Sequence, residues 1–377
     1  MALRLTFLMA MLIPLCSLAQ IRGVVVDGQD RPLAGAHVWL SGTSSGTLTA
    51  PDGTFTLNAP PGRFTLIASF LGYTAWSEDL LLTMTPLEKR IVLKPAGMAL
   101  DEVVVAANAS KKRKRWLKDF EEGFFGYTAN GKHCRILNPE VLLFEEKDDA
   151  LQAHATDLLQ IENLALGYRI LFLLEEARIA GTAISYRGKP LFTELQPEDE
   201  KQAAQWARAR EESYAGSLRH FLRSLAANAL RREGFEIYHS LPQGTSVQDL
   251  GPARVSRIVR QDPSAPDVLQ LSFDGFLKVV YLHEKNRVML TRKNAMGNIA
   301  GSLGHRSERS ILQNDMQEMA RASDDVQVTY LFLKKVPVRF DTDGNVLEPE
   351  YLEEHGYLGY ERIADLLPVA YGRSGVK

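Results

Sequence analysis

Apolar residues between positions 21 and 105 recur with a period of two. Val24 and Val26 alternate with Val25, Val38 and Leu40 with His37 and Trp39, and Phe55 and Leu57 with Thr54 and Thr56; Phe64, Leu66, Ala68 and Phe70 keep the period through a fourth run. A strand sends successive side chains to opposite faces, so each run builds one apolar face. Asp27-Gly28 and Asp52-Gly53 are expected to supply positive-φ positions for tight hairpin turns, and Pro60-Pro61-Gly62 is a third break. One apolar face per strand needs a second sheet to cover it. The pattern therefore predicts an antiparallel two-layer β-sandwich of about seven strands.

From Trp116 onward the pattern changes. Strand-like runs at Val141–Phe144, Leu158–Ile161, Tyr168–Leu174, Ala183–Tyr186 and Leu191–Phe192 read as an antiparallel meander. Two central helices interrupt it. The first is expected to open at Pro197, with Glu198, Asp199 and Glu200 at the positive end of its dipole. The second follows Gly216, with Ser217 as N-cap, a stripe of Leu218, Phe221, Leu222, Leu225 and Ala229, and a stop at Gly234. Arg219, Arg223 and Arg231 fall on its other face, which reads as solvated or as a ligand-reading surface. Strands resume at Phe235–Tyr238, Val255–Val259, Leu269–Leu282 and Val288–Thr291. A polar, glycine-spaced stretch at 292–325 follows, then a strand from Val326 to Phe340. Short helices are expected around Tyr351–His355 and Tyr360–Leu367. The sequence from 116 to 377 is thus expected to be an α+β domain with a mostly antiparallel sheet.

The linked elements Pro32-Leu33-Ala34-Gly35-Ala36, Thr49-x-x-Asp52-Gly53-x-Phe55-x-Leu57 and Ser69-Phe70-Leu71-Gly72-Tyr73 resemble the carboxypeptidase-regulatory-like domain, a transthyretin-like sandwich. The resemblance covers about residues 20 to 107. It implies an exported bacterial protein, since the domain is common at the N-terminus of such chains, TonB-dependent outer-membrane receptors among them. Leu100-Asp101-Glu102-Val103-Val104-Val105 also resembles the segment that joins this domain to a receptor plug. It implies no peptidase activity. The whole chain is similar to exported proteins that join such a sandwich to a poorly characterised C-terminal domain, and no site residue is carried over from them.

Residues 1–19 resemble a secretory signal. Arg4 forms the positive region, Leu5 to Leu15 the apolar region, and Ser17-Leu18-Ala19 the small-x-small site, so cleavage is expected before Gln20. The expected localisation is the periplasm or the outer membrane. The apolar run is shorter than the ~20 residues of a spanning helix. The sequence after residue 116 holds too few alternating ten-residue segments for a full outer-membrane barrel. A net charge of −2 argues against bulk binding to nucleic acid. Of two cysteines, Cys16 lies in the signal, which leaves Cys134 without an internal disulfide partner. Lys111, Lys112, Arg113, Lys114 and Arg115 form a basic run within a linker expected over 108–115. It reads as a solvated linker, in which like charges extend the chain, or as a contact with an anionic membrane surface.

Chemical motifs are sparse. Gly42-Thr43-Ser44-Ser45-Gly46 matches the G-x-S-x-G pattern, but a nucleophile elbow needs a strand before it and a helix after it, and here strands flank it on both sides. Asp341-Thr342-Asp343-Gly344-Asn345 resembles the start of a calcium loop. Gly344 stands fourth rather than sixth and Leu352 occupies the twelfth position, so a hairpin turn is expected. His37, His133, His154, His220, His239, His283, His305 and His355 show no paired metal spacing, and His133-Cys134, adjacent in a strand, would point apart as a buried or half-buried pair. Gly297, Gly301 and Gly304 lack the Gly-Lys-Ser/Thr ending of a phosphate loop. No catalytic, cofactor-binding or metal site is assigned, and no cofactor is expected. The expected function is that of a non-enzymatic interaction module of the cell envelope, binding an envelope protein or glycan. Two alternatives stand beside it. One is a receptor-like N-terminal extension without its barrel. The other is an envelope hydrolase acting on peptide or glycan, built on residues such as Glu145, Glu146, Asp274, His283 and Glu284. Acidic groups or histidine converging in one deep pocket would favour the hydrolase, and a flat or shallow surface the binding module.

Overall fold

A computed structural model describes residues 18–96, 112–147, 150–180, 183–243, 246–283 and 326–373. The described residues form two compact units that divide after Ala96, with Ser41–Ser44 assigned to the second. The expected signal, the strand at Val288–Thr291 and the stretch at 292–325 lie outside the described residues, apart from the last two residues of the signal.

The first unit holds β1 (Ala19–Val26), β2 (His37–Leu40), β3 (Gly46–Leu48), β4 (Thr54–Ala59), β5 (Gly62–Ser69), β6 (Tyr73–Thr74), β7 (Trp76–Leu82), β8 (Leu87–Val92) and β9 (Lys94–Pro95). One sheet has the order β4-β1-β8 and the other β3-β2-β5-β7, with β6 and β9 as a short ribbon. Strand β4 alternates strictly, burying Phe55, Leu57 and Ala59 and exposing the residues between. In β1 the buried residues are Ala19, Ile21, Val25 and Val26. Two details differ from expectation. The β1–β8 pair is parallel, because β8 follows a strand of the opposite sheet and returns beside β1 in the same direction. In the first turn the left-handed residue is Asp30, not Gly28. There Asp27 organises the loop, its carboxylate accepting from the amides of Gln29 (2.8 Å) and Arg31 (3.0 Å). At Asp52-Gly53 the expectation holds, with Gly53 at φ 76°.

The second unit opens with a helix the sequence reading did not include, α1 (Arg113–Phe125). Trp116, Phe120 and Phe124 recur every fourth residue and bury one face. The helix packs on a sheet of β10 (Cys134–Ile136), β11 (Leu142–Lys147), β12 (Ala150–Ala155), β13 (Leu159–Asn163), β14 (Tyr168–Ala180) and β15 (Ala183–Glu194). Strand β14 is its spine. It pairs β13 and β12 in succession along one edge and β15 along the whole of the other. The basic run is corrected here: Arg113, Lys114 and Arg115 form the first turn of α1. The Arg113 guanidinium donates to the carbonyl oxygens of Pro139 (2.7 Å) and Leu142 (3.3 Å), and Lys112 lies 3.4 Å from Glu146. These partners offset the like-charge repulsion that predicted an extended segment.

Helices α2 (Glu200–Tyr214) and α3 (Leu218–Ala226) follow. Helix α2 starts later than Pro197, because Asp199 caps it and accepts from the Gln202 amide at 2.7 Å. Ser217 caps α3 as expected. The helix stops at Ala226, with Asn228 in the left-handed region at φ 51°, well before Gly234. The remaining elements are β16 (Phe235–Gln243), β17 (Ser246–Pro252), α4 (Val255–Ile258), β18 (Val259–Gln261), β19 (Val268–Leu271), β20 (Phe276–Tyr281), β21 (Gln327–Leu333), β22 (Val338–Asp341), β23 (Leu352–Gly356) and α5 (Tyr357–Tyr360). They form antiparallel sheets β17-β16-β20-β21-β23 and β18-β19-β22. Phe221, Leu222 and Leu225 of α3 share a core with Phe235, Leu277 and Leu331.

Five local expectations fail. The single strands expected at Leu269–Leu282 and Val326–Phe340 each divide between the two sheets, as β19 and β20 and as β22 and β21. Val255–Ile258 is a helical turn rather than strand. The segment expected as a helix at Tyr351–His355 is the edge strand β23, because pairing with β21 satisfies its backbone. The segment 360–367 contains no α-helix beyond Tyr360, only a 3-10 turn at Ile363–Asp365.

Candidate binding cleft

A cleft of about 930 Å³ lies within the second unit. The β14–β15 hairpin contributes Tyr186, β23 contributes Glu354, and the segment after α5 contributes Arg362. In β23, Glu353 and His355 point to one face of the strand and Glu354 to the other. Glu353 pairs with Lys334 at 2.6 Å, and its second oxygen lies 3.5 Å from His355 Nε2. Burial pushes the Glu353 carboxyl up, but His355 and Lys334 outweigh it and the net direction is down. Glu354 is half-buried at the cleft surface and surrounded by protein. Burial pushes its carboxyl up to about 7, with Arg362 opposing. Burial likewise pushes the Tyr186 phenol up to about 12.

Helix α3 contributes Leu218 and Arg219 to the lining. Arg219 and Arg223 are neither solvated nor free to read a ligand, whereas Arg231 lies beyond the helix and is exposed, as expected of a solvated residue. Arg219 Nη1 donates to the carbonyl oxygens of Leu367 (2.9 Å) and Pro368 (3.1 Å), and burial lowers its pKa to about 10. Arg223 donates to the carbonyl oxygens of Asp343 (2.8 Å), Val369 (2.7 Å) and Tyr371 (2.5 Å). The carboxylate of Asp365 accepts from Thr128 Oγ1 (2.7 Å) and Asn130 Nδ2 (2.8 Å). Arg362 differs: its Nε is buried and has no hydrogen-bond partner among the described residues.

The residues named for a hydrolase do not meet. Glu145 and Glu146 lie on β11, in the sheet that α1 covers, whereas Asp274 and His283 flank β20 in another sheet. Asp274 precedes β20 and His283 follows it, so a six-residue strand, about 20 Å long, separates them. Glu284 lies outside the described residues. Cys134 is half-buried and His133 exposed. Burial, with Asp365 adding, pushes the Cys134 thiol far above its ordinary range, which keeps it protonated. Among the described residues no three His, Cys, Asp or Glu side chains converge as metal ligands. Ser44 lies between β2 and β3, with no helix after it. At Asp341 the turn is a hairpin turn: the carboxylate accepts from the Asn345 amide (2.9 Å) and Nδ2 (2.9 Å), and Gly344 is left-handed at φ 78°. No helix among the described residues is long and apolar enough to cross a membrane.

The residues that do converge, Tyr186, Glu354 and Arg362, went unnamed at the level of sequence. The trace they leave there is the Glu353-Glu354-His355 run, hidden by its expected helical setting.

The first unit is a β-sandwich of two facing sheets. Residues 21–105 of the chain match the family model of the CarboxypepD_reg-like domain, so the chain carries that domain on its N-terminal side. No curated protein matches the chain. Among solved structures, a 3-chlorocatechol 1,2-dioxygenase from Rhodococcus opacus 1CP is similar at 14% identity, over 21% of this chain and 61% of that one, with a TM-score of 0.18. A putative carbohydrate binding protein from Bacteroides uniformis ATCC 8492 is similar at 9% identity, over 41% of this chain and 60% of that one, with a TM-score of 0.18. A DUF3823 family protein from Bacteroides ovatus ATCC 8483 is similar at 9% identity, over 48% and 82%, with a TM-score of 0.18. The chain spans less than two thirds of the dioxygenase and of the carbohydrate binding protein. Nothing of these proteins' activities is carried over to it.

Proposed function

We propose that this chain is a non-enzymatic binding protein of the cell envelope, exported through residues 1–19, with the sandwich as an interaction module and the cleft of the second unit as its ligand site. The observation that carries the reading is the convergence of Tyr186, Glu354 and Arg362 in a cleft of about 930 Å³. That volume suits a small ligand such as a short glycan or peptide. The surrounding groups are fixed by main-chain and side-chain partners, which favours recognition by a preformed site. Ligand-observed NMR with residues 20–377 against neutral and acidic sugars and short peptides tests it. Hits that Ser185→Trp at the cleft rim abolishes are expected. An absence of hits, or hits indifferent to that substitution, argues against the cleft. Export is tested by N-terminal sequencing of the envelope pool, where intact Met1 would count against it.

The hydrolase remains the second reading, because acidic groups and His355 do converge on the cleft. Glu354, with its carboxyl near 7, suits general acid–base work. Glycoside cleavage commonly uses two carboxyl groups in defined roles, whereas Glu353 is paired with Lys334 and Asp365 is held by Thr128 and Asn130. Turnover of a bound ligand that Glu354→Gln abolishes would favour the hydrolase, and binding without turnover the module.

A further inference from the structure

We infer that the cleft recognises a carboxylate, with the Arg362 guanidinium as the anchor of a small, singly charged acidic ligand and with Tyr186 and Glu354 beside it. This rests on the binding reading above and narrows its ligand class.

A buried donor on a charged group costs free energy until an acceptor reaches it. Arg362 Nε is such a donor, on a side chain that lines the cleft. The other guanidinium groups with assigned partners nearby are already used: Arg219 holds Leu367 and Pro368, and Arg223 holds the carbonyls of Asp343, Val369 and Tyr371. The backbone around Arg362 is fixed. Ile363 and Ala364 are buried in the core, and Asp365 is bound by Thr128 and Asn130. The main chain that carries Arg362 is therefore held in place, a condition that geometrically specific pairing with a planar carboxylate requires.

Charge selects the ligand further. Six acidic and five basic side chains line the cleft, so its field is close to balanced. A phosphate dianion or a polyanion would meet the carboxylates of Glu353 and Asp365 with more charge than Arg362 offsets. A monoanionic carboxylate leaves the balance near neutral. Glu354 holds its proton up to about pH 7 and can then donate to the ligand instead of repelling it. Tyr186 interacts electrostatically with Arg362, Glu354 and Asp365, and Tyr127 with Arg362. Lys334, Glu353, His355 and Glu361 are the nearest other charged or titratable groups of the lining by sequence. Leu218, Leu358 and Leu366 line the rest of the cleft and provide apolar surface for the ligand body.

The carboxylate could come from a uronic acid or from a peptide C-terminus. The test uses residues 20–377 at pH 6, with D-glucuronate and N-acetyl-alanine as probes and their methyl esters as controls, read by calorimetry or saturation-transfer NMR. At least one acid is expected to bind saturably, and its ester at least about ten-fold more weakly. Arg362→Lys should weaken the acid by a similar factor and Arg362→Gln should abolish binding, with folding of both checked by circular dichroism. The acid that binds identifies the source. The acid-against-ester comparison on the unaltered chain needs no variant to fold. Equal binding of acid and ester, unchanged binding by Arg362→Gln, or binding of neither acid at about 10 mM would overturn the inference. If neutral sugars or peptides still bind in the cleft, carboxylate recognition fails alone; if nothing binds there, the binding reading fails with it.

Discussion

Thr128 donates its hydroxyl proton to the carboxylate of Asp365 across 2.7 Å, although the two stand 237 positions apart in the chain. The bond ties the segment after α1 to the C-terminal stretch. Asn163 Nδ2 reinforces it by donating to the Ala364 carbonyl at 2.9 Å. Ile363, Ala364, Leu367 and Tyr371 belong to the same core as Phe120 and Phe124. Thr128→Val removes a buried donor from a carboxylate and keeps the volume, so it should destabilise the second unit by about 1–3 kcal/mol. A urea unfolding midpoint equal to that of the unaltered chain would show that the bond contributes nothing.

Gly167 is expected to tolerate no side chain. It sits at φ 68°, and a β-carbon built on it would lie 2.3 Å from the indole of Trp206. The indole is held, since Trp206 Nε1 donates to the Leu164 carbonyl at 2.8 Å, and Arg210 Nε donates to the Leu166 carbonyl at 2.7 Å. Backbone strain and the displaced ring add, so Gly167→Ala should cost about 2 kcal/mol or more. A thermal midpoint within a degree of the unaltered chain would contradict this.

The sandwich was legible where a strand buries one face, as β4 does, although β2 buries Val38, Trp39 and Leu40 in succession. Period-two runs such as Phe55 and Leu57 then map directly onto a core. In the second unit, tertiary pairing decides between local alternatives. The Tyr351–His355 segment has helical composition but completes a sheet edge, and backbone pairing with β21 outweighs propensity. Helix α1 was hidden because its basic first turn reads as a linker, while the bonds from Arg113 to Pro139 and Leu142 depend on residues more than twenty positions away. The cleft was illegible for the same reason: Tyr186, Glu354 and Arg362 meet only through the packing of separate elements. The arginines of α3 looked solvated because their partners are main-chain carbonyls, which leave no mark in a sequence.

Stability should depend on pH through Glu354 with a defined sign. The folded carboxyl is raised from 4.5 to about 7, so the folded state binds more protons than the unfolded chain between those values. Stability is then lost as pH rises through that window. His220 acts in the opposite direction. Burial lowers its pKa from 6.5, with Glu233 opposing, so its contribution is lost as pH falls below 6.5. Glu354→Gln should flatten the alkaline loss and stabilise the chain by about 1–3 kcal/mol at pH 8, with little change at pH 4.5. Urea midpoints at the two pH values measure the difference, and parallel pH profiles for variant and parent would rule out a raised carboxyl.

The last expectation concerns where the chain can be cut. We propose that residues 20–107 fold independently of 116–377, since the sandwich has its own two faces and about 85 residues suffice for a small core. The basic run from Lys111 to Arg115 offers trypsin five sites between the two, but the sites are not equivalent. Arg113, Lys114 and Arg115 lie in the first turn of α1, which Trp116 and Phe120 anchor in the core and Arg113 fastens to Pro139 and Leu142. Proteolysis needs several residues extended in the protease cleft, so cutting there requires the end of α1 to open. The first cut should therefore fall after Lys111 or Lys112, giving resistant fragments of about 10 and 30 kDa, the larger beginning at Lys112 or Arg113. Mass spectrometry of early time points locates the cut. First cleavage after Lys114 or Arg115 would mean that the start of α1 opens readily. First cleavage inside 20–96 or 126–283 would mean that the two parts are not the independent units proposed.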